Sequence, residues 1–464
     1  MLGGPTESDA NEFVYSTWAI AHGHLACAYS PGTVLNLPGV SKPGPFIAPL
    51  YPLLSGAVAA LLRIGHSIPF PSQSQLGPNC TSAYKEMFLW TVKGNIVVPT
   101  TQIAYLSWLA LLVGVVALLR ASGRGRRGWE PLTLILLACT APIFECILDD
   151  LHPQDILAMG LILGGMACAL RGRWVWVGIL LGLAVTSQQF ALLALVPLFV
   201  VAPSNRRLKF ASATIATAAV VILPLGVLTS GRAFGAAVVG SGFTRSDGGT
   251  VLWELHLHGP LLFTFSRLVP VALSLALAWW ALRKLGPAVL EPVLLISLIA
   301  ASLCFRLIFE ENLFGYYFMA VAVLLVVLDV VRGRIRGTTL AWIALATLAF
   351  NPVPWGFDSN GSSWGLTLRL ILPVIFAAGA LLLILLDAIR GRIRWYLIGW
   401  LVLVALTLVK MPWMHSYLRQ SMPIWFWQIV LVSIAFELAV GPLISAIREH
   451  RLSPPTLDSV LTEP

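Results

Sequence analysis

Hydrophobic residues in this chain come in long, nearly continuous runs. Apolar stretches that reach or approach the length needed to cross a hydrocarbon core of about 30 Å recur at 45–64, 96–119, 129–147, 154–170, 209–229, 260–282, 288–305, 313–331, 338–350, 366–389, 395–410 and 423–446. Between Trp174 and Ala202 lies a longer apolar tract interrupted by Ser187-Gln188-Gln189. Each half is short for a full span, so the pattern predicts a helix pair that turns at the glutamine dipeptide. The expected fold is therefore all-α, a polytopic transmembrane bundle of about 12–13 membrane helices. The segment 453–464 reads as a disordered tail.

Composition agrees: 58% of the residues are hydrophobic, 11% are charged, and the mean hydropathy is +0.84. The net charge of +9 raises the question of nucleic acid, and the placement of the cations answers it. Nineteen of the 30 Lys and Arg fall in seven short loops or tails, Arg120 to Arg127, Arg171 with Arg173, Arg206 to Lys209, Arg283 with Lys284, Arg332 to Arg336, Arg390 to Arg394, and Arg448 with Arg451. These alternate with loops poor in cations, which is the pattern of cytoplasmic basic loops in a plasma (inner) membrane protein. The C-terminus is then cytoplasmic, the lipid bilayer is the partner, and nucleic acid is not. Loops 149–153, 187–189, 230–259, 306–312, 351–365 and 412–422 face outward. Helix parity fails between residues 45 and 95, where a further crossing or a dipping segment is needed.

The six cysteines carry little chemistry. Cys139, Cys146, Cys168 and Cys304 sit in apolar helices, where a thiol behaves as a small hydrophobe. Cys27 and Cys80 both fall in outward segments, where an oxidising compartment permits a disulfide between them. No metal-ligand spacing, Walker A loop or G-x-G-x-x-G is present, so neither a metal nor a cofactor is expected.

Polar groups held close to the membrane without structural need mark a functional site. DDLHPQD places Asp149, Asp150, His152, Gln154 and Asp155 at the mouth of a helix that opens with Pro153. An acid there serves as a cap and complements the helix dipole, but a histidine beside three carboxylates exceeds what capping requires. Ser187-Gln188-Gln189 is either a self-satisfied polar turn or a set of hydrogen-bonding groups for a ligand. In CFRLIFEENLFGYY, Arg306 and Glu310 are spaced as a helical ion pair, while Arg306 also suits bidentate contact with a phosphate. The long segment 230–259 contains Arg232, Arg245, Asp247, Glu254, His256 and His258, and a loop of this length often works as a lid or binding loop. His256 and His258 have no further ligand at suitable spacing and read as surface histidines.

Taken in order, these stretches resemble a family. DANEFVYSTWAIAHGHLACAYSP from Asp9, APLYPLLSG at 48–56, HPQDILAMG with its following RGR turn and SQQ break, and FEENLFGYYF at 309–318 are similar to GT-C fold membrane glycosyltransferases, especially bacterial polyprenol-phosphate-mannose-dependent mannosyltransferases. The resemblance covers Asp9 to Arg336. It implies an outer first loop bearing a catalytic acid (1–44), a catalytic transmembrane core (45–336), and additional C-terminal helices (337–452). It also implies an active site on the outer face and inverting transfer of a sugar, mannose by family expectation, from a polyprenyl phosphate donor to a lipid or glycan acceptor of the cell envelope. Asp9 is then the expected general base, with Glu12 behind it. Arg306, His152 and Arg245 are the expected donor-phosphate contacts, and Asp155, Gln188, Gln189, Glu310 and Tyr316 are the expected sugar or acceptor contacts. That family begins with a membrane helix ahead of the acidic loop, and nothing before Asp9 is apolar enough to be one, which suggests a start internal to a longer reading frame. A transporter or flippase is the competing class, but it normally places its charges near the membrane midplane in internally repeated halves. A scaffold would need none of these polar groups.

Overall fold

The computed structural model describes residues 16–29, 48–62, 97–125, 128–138, 140–144, 146, 152–229, 231, 249–311, 313–350, 378–387, 389–391 and 424–452. All regular structure among them is helical. In chain order the helices are α1 (Leu50–Leu61), α2 (Val97–Ala121), α3 (Trp129–Ala138), the short α4 (Ala141–Phe144), α5 (Pro153–Leu170), α6 (Trp174–Ser187), α7 (Leu192–Val201), α8 (Ser204–Leu228), the short α9 (Val251–Glu254), α10 (Gly259–Leu290), α11 (Pro292–Ile308), α12 (Met319–Val331), α13 (Gly337–Phe350), α14 (Ala378–Asp387) and α15 (Ile424–Leu452). Among the described residues five segments are long and apolar enough to cross a membrane, within α2, α5, α8, α10 and α15, and eight shorter apolar helices accompany them. The chain is thus a multi-pass helical membrane protein. Asp9, Glu12 and Arg245, the tail 453–464, and the crossing expected between 65 and 95 lie outside the described residues.

Burial sorts the helices into centre and periphery. All thirteen residues of α12 are buried, as are fourteen of the eighteen in α5. By contrast only 6% of the most apolar window of α8 is covered by protein. Val220 and Val227 on that helix are 75% and 81% exposed, which in a chain of this kind is a surface for lipid tails. Small residues set the closest contacts. On α5, Gly160 backs onto the main chain of α2, where a Cβ would lie 2.5 Å from the carbonyl carbon of Ala110. On α6, Gly178 and Gly182 face α8 in the same way, through the Phe210 and Thr214 carbonyls. Helices in lipid associate by such close packing, because burial of apolar surface gives no advantage over lipid tails.

The tract from Trp174 to Ala202 folds as the expected pair. Gln188 is extended (φ −159°, ψ 137°), its side-chain oxygen accepts from the Gln189 backbone N–H at 3.0 Å, and a single 3-10 turn leads into α7. The pair runs out and back: Trp174 at its start and Arg206 beyond its end line one cleft. The expected span 129–147 is different, since α3 stops at Ala138. Thr140 caps that end, its hydroxyl and its N–H both bonding the Leu137 carbonyl at 2.8 and 3.0 Å, and Pro142 follows in the next helix. The span breaks because a threonine hydroxyl competes for the carbonyl and proline cannot continue the ladder.

The short basic turns gather at one end of the bundle. Arg124, after α2, donates to the Val331 carbonyl at the end of α12 at 2.9 Å. Asp329 of α12 accepts from the Arg336 backbone N–H at 2.8 Å and pairs with its guanidinium, which also donates to the Leu438 carbonyl of α15 at 3.0 Å. This basic end is closed by specific bonds between loops and helices.

Candidate functional site

At the opposite end, five stretches far apart in sequence converge. The first is the N-terminus of α5. Proline at its first helical position fixes the entry, the His152 N–H donates to the Cys146 carbonyl at 2.5 Å, and Asp155 is 1% exposed in the first turn. The Gln154 amide donates to His152 Nδ1 at 2.9 Å, which in this orientation leaves the imidazole proton on Nε2. The Gln154 Oε1 atom is buried without a hydrogen-bond partner among the described residues.

The C-terminus of α6 meets this helix directly. Ser187 donates to the Gln154 carbonyl at 2.9 Å, and the Gln188 amide donates to the Asp155 carboxylate. The extended conformation of Gln188 aims its side chain back at α5 rather than along its own helix.

Arg306 ends α11. Its Nε donates to Glu310 Oε2 at 3.0 Å, and the guanidinium carbon lies 4.7 Å from the Phe190 ring centre and 4.6 Å from that of Tyr317. Asp155 is near enough to interact with it electrostatically. Arg267, from α10, reaches the other oxygen of Glu310 and one oxygen of Glu311, each at 3.2 Å. Glu310 and Glu311 are 4% and 5% exposed, so both carboxylates are held by cations rather than by water. Tyr316 stacks on His152 with ring centres 4.2 Å apart, and Tyr317 meets Tyr316 edge-on at 4.5 Å. Helix α15 closes the cluster. Gln428 of α15 donates to the Leu307 and Ile308 carbonyls at 2.7 and 3.2 Å and accepts from the Val251 N–H of α9 at 2.9 Å.

Of the residues expected from sequence, His152, Asp155, Gln188, Gln189, Arg306, Glu310 and Tyr316 come to this one end, while Asp9, Glu12 and Arg245 lie outside the described residues. Three participants were missed: Arg267, Phe190 and Gln428. Arg267 sits in a π-helical turn, Thr264–Leu268, inside an otherwise α-helical segment, a distortion often found at functional sites. An arginine within the apolar string FTFSRLVPVAL was the available signal. Cys27 is disulfide-bonded, while Cys146, Cys168 and Cys304 are in no disulfide; the expected partner Cys80 lies outside the described residues. Among the described residues no group of three His, Cys, Asp or Glu side chains could hold a metal ion.

The cluster joins two arginines, three carboxylates, a histidine, four glutamines and two tyrosines. It offers fixed cations beside hydrogen-bonding groups and an aromatic face, the combination suited to a phosphate linked to a sugar. Fold and site together define a multi-pass helical membrane protein with a polar cluster at one end of its bundle. Residues 100–309, a little under half of the chain, match the family model for Glycosyltransferase family 87. That match indicates a glycosyltransferase; it runs from α2 through α11 and contains His152, Asp155, Gln188, Arg267 and Arg306. Among curated proteins none matches the chain significantly.

Proposed function

We propose that this protein is an inverting glycosyltransferase that moves a sugar, mannose first among candidates, from a polyprenyl phosphate to a hydroxyl of a cell-envelope lipid or glycan at the outer face of the plasma membrane. The observation that carries the reading is the convergence of Asp155, Gln188, Arg267, Arg306 and Glu310 at one end of the bundle, opposite the basic turns. Positive loops stay on the cytoplasmic side, so in this reading the cluster faces outward, where lipid-linked sugars and envelope acceptors meet.

In the reaction the acceptor oxygen attacks the anomeric carbon from the face opposite the phosphate, its proton passes to a carboxylate, and the C–O bond to phosphate breaks. The departing phosphate takes the electron pair and gains a negative charge, so fixed cations beside it lower the barrier. Asp9 is the proposed base, backed by Glu12. Support comes from the residues that follow them: the Thr17 hydroxyl bonds that of Ser55 on α1 at 2.6 Å, and Leu50 and Tyr51 of α1 share a buried cluster with Leu157, two residues from Asp155. Arg306, Arg267 and the Nε2–H of His152 are the proposed phosphate contacts, with Arg245 joining from the long loop. Asp155, Gln188, Gln189, Glu310 and Tyr316 would orient the sugar and acceptor hydroxyls.

The test is sugar transfer in membranes supplied with radiolabelled polyprenyl-phosphate mannose, comparing the native chain with Asp9→Asn at equal abundance. A fall of about 10²-fold or more is expected on removal of a general base. Retained transfer would move the base to Glu12 or Asp155. Folded protein that transfers no polyprenyl-phosphate sugar, with acceptors present, would overturn the reading in favour of transport.

A further inference from the structure

The opposite end of the bundle holds a second candidate site. The turn between α5 and α6 is Arg171-Gly172-Arg173, in which Gly172 takes φ +68°, a conformation side chains rarely adopt. That turn brings Arg173 and the first residues of α6 against the start of α8. Together they form a cleft of about 290 Å³ lined by Arg173, Trp174, Trp176, Arg206 and Lys209.

The cations in this cleft are not consumed by the fold. Their neighbour Arg207 is: its guanidinium donates to the Ala202 and Val200 carbonyls at 3.0 and 2.7 Å and so closes the end of α7. Arg173, Arg206 and Lys209 form no ion pair with a carboxylate among the described residues. Arg206 and Lys209 stand three apart on α8, on one helical face. The aromatic wall is divided. Trp174 is buried, with its ring 6.2 Å from that of Phe210, whereas Trp176 is 56% exposed and stands beside Val175, which is 46% exposed. Of the helices that frame the cleft, α8 is the lipid-facing one, and Val175 and Trp176 are the exposed residues of α6, so these apolar groups border the acyl chains while the cations stand at head-group level. Tryptophan prefers that boundary.

We propose that this cleft binds the phosphate head group of an anionic phospholipid from the leaflet at the basic end. Arg173, Arg206 and Lys209 would contact the phosphate, and Trp176 would lie along the first acyl segment. The site is separate from the polar cluster at the far end of α5 and α6, and the inference holds whether or not that cluster transfers sugar.

Native mass spectrometry of the purified full chain, titrated with phosphatidylglycerol or phosphatidylcholine, tests this. Phosphatidylglycerol should be retained preferentially, and Arg206→Gln/Lys209→Gln should reduce that preference by about tenfold or more, since each basic residue near the surface adds to the attraction for anionic lipid. The control is Arg283→Gln/Lys284→Gln, which removes equal charge from exposed positions at the same end. An equal loss in the control would reduce the effect to diffuse charge and overturn the proposal, as would unchanged retention in the first pair. Displacement of the lipid by millimolar inorganic phosphate would likewise overturn it, assigning the cleft to a free anion.

Discussion

Glu310 holds two guanidiniums at once, Nε of Arg306 on one oxygen and Arg267 on the other. Removing one member of a buried charged cluster leaves the rest uncompensated, which costs about 3–5 kcal/mol. Glu310→Gln is therefore expected to lower the thermal unfolding midpoint in detergent strongly, while Arg306→Met in the same chain restores part of the loss; a double-mutant cycle measures the coupling. Gln428 is a neutral counterpart, serving two carbonyls and one N–H. Gln428→Leu leaves them unpaired and should cost about 1–3 kcal/mol per buried group, read in the same assay. The Arg306 and Glu310 pairing was legible from their spacing alone, as was the polar break at Gln188. Arg267 and Gln428 could not be joined to this cluster from sequence: a lone polar residue within an apolar run marks itself, but no periodicity names its partners, which come from helices distant in sequence.

Helix packing depends on where glycine is required. A Cβ on Gly160 would press into the main chain of α2, whereas one on Gly164 would meet only Leu180 Cδ1 at 3.4 Å, an ordinary contact. Gly160→Ala is expected to destabilise the fold by about 1–3 kcal/mol, as overpacking does, while Gly164→Ala should be nearly silent. Fluorescence-detected size exclusion after a heat step separates the two. Hydropathy located the helices well, because lipid solvation demands long apolar runs. It failed at Thr140, since the break there depends on one hydroxyl and one proline rather than on any loss of hydrophobicity. The distinction between the buried α12 and the lipid-facing stretch of α8 after Lys209 was equally invisible, because both are long, predominantly apolar runs.

For the whole molecule, basic turns at one end and the buried polar cluster at the other give an orientation that labelling can check. In intact cells a membrane-impermeant maleimide should modify a cysteine placed at His256, which is exposed near the polar end, and spare one placed at Arg171, exposed in the turn after α5, until the membrane is opened. The reverse pattern would turn the protein over and remove the outward-facing site. One consequence concerns the order of synthesis. The carbonyls of Leu307 and Ile308, beside Arg306, are bonded by a side chain that leaves the ribosome more than a hundred residues later. Chains halted before Ile424 should insert their earlier helices and yet transfer nothing, which a truncation series would measure. Helix α15, made after the other members of the polar cluster, would then act as a completeness check, withholding activity from unfinished copies.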